Sequence, residues 1–410
     1  MKSKEELNVG ELNYDFDNLV DRFDHGSSKW ENAKRMKNIL SDANLSGELF
    51  AVSTADMDFK MAPEIVEAIR ETASRLVYGY TVPTKEYFDS VISWLSRRHD
   101  VEVDSNWIVL SPGVVAAIQY AISAFTNSGD GVIVQMPVYR PFHASVNALG
   151  RRLINNALLR DGNNYQIDFD DLELKASDSE TKMLIFCNPH NPIGRVWTKD
   201  ELEKVASICA RHDVLVVSDE IHADIVFPPY KHASYCSLSP ELFKNAIVCT
   251  SPSKSFNMCG LQISNIIVPN KKIRQHFAQQ SHNSGFHSPN CFAATATIAA
   301  YNKAEKWFDQ LLKYIHSNHE LVKRFIETNI PQVDVFPLQG TYLQWLNFEA
   351  FGICGIDRER LFHDNGIFFE SGYIFGEGGE SFERLNLAYS KSFLNNLLKK
   401  LQKGISKKHF

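Results

Sequence analysis

Short apolar runs alternate with longer amphipathic stretches through the middle of the chain. The runs are rich in β-branched residues and predict buried strands; they read WIVL, GVIVQM, KMLIFC, DVLVVS, AIVCT and SNIIV. Stretches such as VVAAIQYAISAF and KDELEKVASICARH lie between them and carry apolar residues three or four positions apart, which predicts helices. This alternation indicates βαβ units and an α/β fold with a mostly parallel sheet between two layers of helices.

The pattern changes near residue 285. One long helical stretch, CFAATATIAAYNKAEKWFDQLLKYI, is followed by four strand-like segments, VDVFPL, TYLQWLNF, IFFESG and FERLNLAY, and by a basic helix. These elements predict a smaller α+β domain. Because the first fifty residues are too few for a core of their own, we predict a large domain of residues 51–285 and a small domain of residues 1–50 and 286–410.

The composition excludes several classes of protein. The 410 residues are 44% apolar and 22% charged, and the net charge of -6 with interspersed signs offers no basic stripe for nucleic acid. No apolar run is long enough to cross a bilayer, and the charged beginning does not resemble a signal peptide. Seven scattered cysteines without C-x-x-C spacing indicate neither a disulfide framework nor a metal site. We expect a reduced, cytoplasmic enzyme without a nucleic-acid or membrane partner.

Unusual residues follow the predicted strands at the strand ends where open parallel sheets bind ligands. Gly113 follows the first strand and opens a helix, whose free N–H groups and dipole form an anion site. Ser251 and Ser253 can add hydroxyl donors to this site, and Tyr139 offers an aromatic face for stacking on a ring. These residues therefore predict a site for a phosphate and an aromatic ring.

Four further polar residues complete this candidate site. A buried carboxylate such as Asp219 needs a cationic partner, and Asn191 and His222 can donate to an oxygen on the same ring. Lys254 is a candidate Schiff-base amine. A phosphate, a ring nitrogen, a phenolic oxygen and an aldehyde together describe pyridoxal phosphate. Taken singly, Lys254 is more often a solvated surface residue, and Asp219 is as often a helix cap.

Seven motifs carry a resemblance to a known family. They are ADMDF (55–59), YGYT (78–81), MPVYRPF (136–142), CNPHNPIGRVWT (187–198), SDEIHADIVF (218–227), SPSKSFN (251–257) and FGEGGESFERLNLAYS (375–390). In this order they resemble the fold-type I pyridoxal-phosphate enzymes of the aminotransferase class I/II superfamily. Within it, the chain is most similar to the MalY/PatB branch of cystathionine β-lyases and cysteine-conjugate C–S lyases.

The resemblance implies a role for each matching residue. Lys254 would bind the cofactor covalently, Asp219 would pair with the protonated ring nitrogen, and Arg384 would clamp the substrate α-carboxylate. The cofactor-binding set implied is Gly113, Val114, Val115, Tyr139, Asn191, Asp219, His222, Ser251, Ser253, Lys254 and, from the partner subunit of a homodimer, Tyr80. No metal is implied.

Three residues depart from the general pattern of the superfamily. His222 stands where many relatives carry tyrosine, and we expect the charge of its imidazole to vary near neutral pH. Gln262 replaces a phosphate-binding arginine, and Ile193 replaces a threonine. The first two changes are typical of the MalY/PatB branch.

The cofactor allows two reactions. In β-elimination, cystathionine, cysteine or another S-substituted cysteine gives a thiol, pyruvate and ammonia; in transamination, an amino group passes to a keto acid. The same residues serve both reactions, and the family branch favours elimination. A non-enzymatic scaffold on this fold is disfavoured because the lysine and the aspartate are present. We interpret Cys187 and Cys259 as buried or pocket-wall thiols without a catalytic role.

Overall fold

The computed structural model describes residues 14–40 and 48–407. The helices are α1 (Ser28–Leu40), α2 (Pro63–Ser74), α3 (Lys85–His99), α4 (Val114–Phe125), α5 (Pro141–Ala148), α6 (Phe169–Ala176), α7 (Lys199–Arg211), α8 (Pro240–Phe243), α9 (Pro252–Ser255), α10 (Lys271–Asn283), α11 (Cys291–Lys303), α12 (Glu305–Asn329), α13 (Gly355–Asp364) and α14 (Lys391–Lys407). The strands are β1 (Phe50–Ala51), β2 (Ile108–Ser111), β3 (Gly131–Val134), β4 (Arg152–Asn155), β5 (Leu159–Asp161), β6 (Asn164–Gln166), β7 (Thr181–Cys187), β8 (Leu215–Asp219), β9 (Ala246–Thr250), β10 (Ser264–Ile267), β11 (Asp334–Val335), β12 (Leu343–Asn347), β13 (Ile367–Phe368), β14 (Glu370–Ser371) and β15 (Phe382–Asn386).

A seven-stranded sheet forms the centre of the molecule, in the order β2-β10-β9-β8-β7-β3-β4. Strand β10 runs antiparallel to both of its neighbours, and the other strands run parallel to one another. Every residue of β3, β8 and β9 is buried, as expected for strands covered on both faces. This confirms the predicted α/β fold with a mostly parallel sheet.

Alternating side chains of the sheet belong to two hydrophobic clusters. Val132 and Val134 pack with residues of α4, α5 and α10, whereas Ile133 between them belongs to the cluster that contains residues of α3, α7 and α11. This period of two follows from the pleat of a strand. The two clusters therefore cover opposite faces of the sheet.

A second, antiparallel sheet has the order β11-β12-β15-β14. The short strand β1 pairs in parallel with β13, which brings the N-terminal segment beside the C-terminal part of the chain. The predicted division of the chain into two domains at residues 51 and 285 stays a prediction. Helix α11, which belongs to the predicted small domain, packs closely against α2 and α3 of the predicted large domain.

The long helical stretch predicted after residue 285 is divided in two. Ala304 ends α11 and precedes α12, with φ -98° and ψ 12°, and its side chain is fully buried. The break lets α11 pack on α2 and α3 while α12 packs on α14. Apolar residues continue across the break, so the sequence pattern does not reveal it.

Within residues 14–40 and 48–407, no helix has the length and apolar character needed to cross a membrane. All seven cysteines are free thiols. Among the same residues, no group of three or more histidine, cysteine, aspartate or glutamate side chains is arranged to hold a metal ion.

Candidate active site

A cavity of about 190 Å³ lies at the ends of β2, β7, β8 and β9. Nine of the predicted site residues line it: Gly113, Val114, Val115, Tyr139, Asn191, Asp219, His222, Ser253 and Lys254. A larger cleft of about 900 Å³, between α3, residues 223–237 and the start of α12, contains none of the predicted residues. The chemistry expected from the sequence therefore converges on the smaller cavity.

One end of the cavity is suited to an anion. Helix α4 begins there after Gly113, and no side chain caps its first N–H groups. A Cβ atom at Gly113 would have no heavy atom within 4 Å, so the backbone borders open space. Ser264 lines the same cavity, and its buried hydroxyl has no partner among the described residues. Sequence reasoning missed Ser264, because a serine at the start of a strand carries no distinguishing signal.

Ser251 lies behind Ser253 and does not line the cavity. Its hydroxyl donates to the carbonyl of Ile263 over 2.7 Å and accepts from the backbone N–H of Ser253 over 3.1 Å. These bonds hold the turn into α9 in place, so Ser251 fixes the position of the Ser253 hydroxyl, 2.9 Å away.

Asp219 is the last residue of β8, and its side chain is buried. One carboxylate oxygen accepts the backbone N–H of Ile221 at 3.0 Å. Desolvation raises the pKa of this carboxyl to about 7. A cationic group in the cavity would reverse that effect, which is the environment that a protonated ring nitrogen requires.

Lys254 lies in α9, directly after β9. Its Nζ donates to the carbonyl of Ala55 over 2.6 Å and lies 3.6 Å from the Sγ of Cys259. The hydroxyl of Tyr342 donates to the same carbonyl over 2.9 Å. Sequence reasoning missed this acceptor, because it is a main-chain atom that any residue could supply.

The histidine of the site is neutral at neutral pH. Burial lowers the pKa of His222 well below its usual value, and the positive charges of Lys254 and Arg384 lower it further. The expectation that its charge varies near neutral pH is therefore wrong for this environment. The residue lines the cavity, and its Nδ1 is buried without a hydrogen-bond partner among the described residues.

Arg384 lies on β15 beside the cavity, with 3% of its side chain exposed. Its Nη1 donates to Asn191 over 2.9 Å, and its Nη2 donates to the carbonyl of Ser53 over 2.8 Å and lies 3.4 Å from a Glu370 oxygen. The Nε is buried without a partner in the described part of the chain. The guanidinium can therefore bind one more acceptor.

Tyr80 lies outside this cavity. It is fully exposed in the segment between α2 and α3 and does not line the cavity of its own chain. Leu76, Val77 and Val82 in the same segment are also more than three-quarters exposed, at 80%, 79% and 76%.

The donor set fits pyridoxal phosphate. An uncapped helix N-terminus with hydroxyls suits the phosphate, a buried carboxylate suits the ring nitrogen, and a primary amine suits the aldehyde. The ring oxygen would meet the amide of Asn191 or the unpartnered imidazole nitrogen of His222. Tyr139 lines the cavity, and burial raises the pKa of its phenol, so the ring is neutral and suited to stacking.

Comparison with known proteins gives concordant results. The family described as aminotransferase class I and II matches residues 48–401. The chain is 38% identical to cystathionine beta-lyase PatB of Bacillus subtilis, over 95% of this chain and 100% of the relative, and 30% identical to protein MalY of Escherichia coli, over 96% and 97%. The crystal structure of cystalysin from Treponema denticola, which contains a pyridoxal 5'-phosphate cofactor, superposes with a TM-score of 0.92 at 38% identity and covers 97% of this chain and 100% of that one.

Proposed function

Since the chain belongs to the aminotransferase class I and II family, we propose that it is a pyridoxal-phosphate-dependent C–S β-lyase of the cystathionine or cysteine-S-conjugate type. Its substrates would be cystathionine, cysteine or S-substituted cysteines, and its products a thiol, pyruvate and ammonia. The observation that carries the proposal is the convergence of Lys254 and Asp219 on one cavity, whose lining residue Asn191 accepts a hydrogen bond from Arg384 over 2.9 Å. Similarity to a cystathionine β-lyase over the full length of that relative supports the choice of reaction.

Different residues in and beside the cavity would bind different parts of the substrate and the cofactor. Arg384 would bind the substrate α-carboxylate through its unpartnered Nε, while Asn191 and Ser53 keep the guanidinium in place. Asp219 would accept a hydrogen bond from the ring nitrogen, and the N–H groups at the start of α4 would bind the phosphate. When bound, pyridoxal phosphate supplies an electron sink for negative charge at the substrate Cα.

Lys254 is the proposed proton carrier. Its amine, once free, is the basic group of the cavity able to take the proton from the substrate Cα. The Ala55 carbonyl then accepts a hydrogen bond from the resulting ammonium group, because it lies 2.6 Å from Nζ here. Tyr342 also donates a hydrogen bond to that carbonyl, over 2.9 Å. The chain thus provides a defined position for the lysine after it is protonated.

Release of pyruvate without a keto acid tests the reaction. The protein loaded with pyridoxal phosphate is incubated with L-cystathionine or S-ethyl-L-cysteine, and pyruvate and free thiol are measured together over many turnovers. Sustained release of both supports β-elimination. Activity that appears only after a keto acid is added would instead identify an aminotransferase, with Lys254, Asp219 and Arg384 in the same places.

We also propose a homodimer in which Tyr80 of the partner subunit reaches the phosphate end of the cavity. Support comes from the exposed apolar segment formed by Leu76, Val77, Tyr80 and Val82, since such a patch is typical of an interaction surface. A cytoplasmic location is proposed as well, because seven free thiols suit a reducing compartment.

A further inference from the structure

Four charged side chains act electrostatically on the phenol of Tyr139, which lines the cavity. Burial raises the pKa of Tyr139, and the charges that act on its phenol are those of Lys254, Arg384, Asp219 and Glu370. The first three have roles in the proposed function. Glu370 has none, and it does not line the cavity itself; its link to the site is its pairing with Arg384.

Glu370 is fixed beside the arginine that would bind the substrate carboxylate. The two residues face each other in the antiparallel pair of β14 and β15, so their side chains lie on the same face of the sheet. The carboxylate lies 3.4 Å from Nη2 of Arg384, and its side chain is 28% exposed whereas that of Arg384 is 3% exposed. Glu370 therefore occupies the solvent side of the pair.

Arg384 has other acceptors besides this carboxylate. Asn191 and the Ser53 carbonyl accept from its two terminal nitrogens at 2.9 Å and 2.8 Å, which are shorter contacts than the one to Glu370. A partly exposed carboxylate at 3.4 Å is a weak holder of a buried guanidinium. Its charge can also act on a group bound beside Arg384, since unit charges a few Å apart interact appreciably even near a protein surface.

We propose that Glu370 determines substrate specificity by charge: it disfavours cysteines whose S-substituent is anionic and favours those whose S-substituent is neutral or carries an ammonium group. This inference rests on the proposed function. A substrate held by its α-carboxylate at Arg384 would lie within several Å of Glu370, because Glu370 is 3.4 Å from that guanidinium, and a second carboxylate on the substrate would be repelled. The distal end of cystathionine carries both an ammonium group and a carboxylate, so it is neutral overall and belongs with the neutral S-substituents.

A pair of nearly isosteric substrates tests the proposal. S-carboxymethyl-L-cysteine and S-carbamoylmethyl-L-cysteine differ in one charge, and kcat/KM for pyruvate release is measured for both. We expect the neutral amide to be favoured by roughly tenfold in the unmodified protein, and Glu370→Gln to narrow this ratio to about twofold. For S-(2-aminoethyl)-L-cysteine, the substitution should lower kcat/KM by a similar factor.

A matched control variant distinguishes the local effect of the Glu370 charge from the effect of a changed net charge of the whole protein. Glu327→Gln removes the same charge from an exposed position on α12 and should leave the ratio as it is in the unmodified protein. An unmodified protein that favours the carboxymethyl substrate, or a Glu370→Gln protein with an unchanged ratio, would overturn the proposal. The first of these outcomes is measured on the unmodified protein and so does not depend on whether a variant folds.

Binding without turnover separates this inference from the proposed reaction. L-Glutamine and L-glutamate cannot release a thiol, and their dissociation constants for the protein loaded with pyridoxal phosphate are measured by calorimetry. Glutamine should bind roughly tenfold more tightly, and Glu370→Gln should reduce that preference. If no S-substituted cysteine yields pyruvate, the proposed reaction fails while this preference still decides the role of Glu370.

Discussion

At the scale of single residues, the role proposed for Lys254 is the most specific. We expect Lys254→Ala to prevent covalent attachment of pyridoxal phosphate and to lower pyruvate release by at least about a thousandfold. Borohydride reduction followed by peptide mass mapping measures the attachment independently of activity. Lys244→Ala, at an exposed position after α8, is the control and should keep the label. A label that persists on the Lys254→Ala protein would assign the role to another lysine.

The raised pKa of Asp219 gives a second expectation at this scale, for the protein without its cofactor. A carboxyl whose pKa is about 7 when folded and near 4 when unfolded costs stability as pH rises between these values. Asp219→Asn should therefore stabilise the cofactor-free protein at pH 8 by up to roughly 4 kcal/mol, and far less at pH 4. Thermal melts at both pH values measure this. Equal changes in stability at the two pH values would show that the pKa of the Asp219 carboxyl is not raised in the folded protein.

At the scale of elements, a buried ion cluster fastens the N-terminal segment to residues 53–58. Asp58 binds Arg22 and lies 3.1 Å from Nζ of Lys29, and the side chains of Asp58 and Lys29 are 2% and 0% exposed. Asp58→Asn leaves buried positive charge, so we expect a loss of about 3–4 kcal/mol in the free energy of unfolding. Asp24→Asn is the control, since Asp24 is 81% exposed in its pair with Lys34 and should cost less than about 1 kcal/mol. Denaturant unfolding measures the free energy of unfolding of both variants and of the unmodified protein.

The same elements show what the sequence could predict. The parallel strands were predictable because a strand buried on both faces appears in the sequence as a continuous run of apolar, β-branched residues. Once the strands were located, the candidate site residues that come directly after them could be predicted to lie at one edge of the sheet. The break at Ala304, the Ala55 carbonyl and the pairing of Glu370 with Arg384 were not predictable. Each depends on contacts between parts of the chain far apart in sequence, or on a main-chain atom that has no residue signature.

At the scale of the whole molecule, two inactive variants should restore each other. If the partner subunit's Tyr80 completes the cavity, Tyr80→Ala and Lys254→Ala chains that form a heterodimer contain one intact site. We expect each variant alone to be impaired and the mixed, re-equilibrated dimers to regain about one quarter of the unmodified activity, since half the dimers are mixed. Failure to complement, with mixed dimers demonstrated by mass spectrometry, would place Tyr80 outside the partner's site.

The position of β15 in its sheet has a consequence for the order in which the site is made on the ribosome. This strand lies between β12 and β14, and it carries Arg384, whereas Asp219 and Lys254 belong to strand ends translated much earlier. Arg384 is synthesised about 130 residues after Lys254, which corresponds to roughly 6–26 s at ordinary elongation rates. The nascent chain therefore contains the lysine and the aspartate proposed to bind the cofactor well before it contains the arginine proposed to bind the substrate carboxylate.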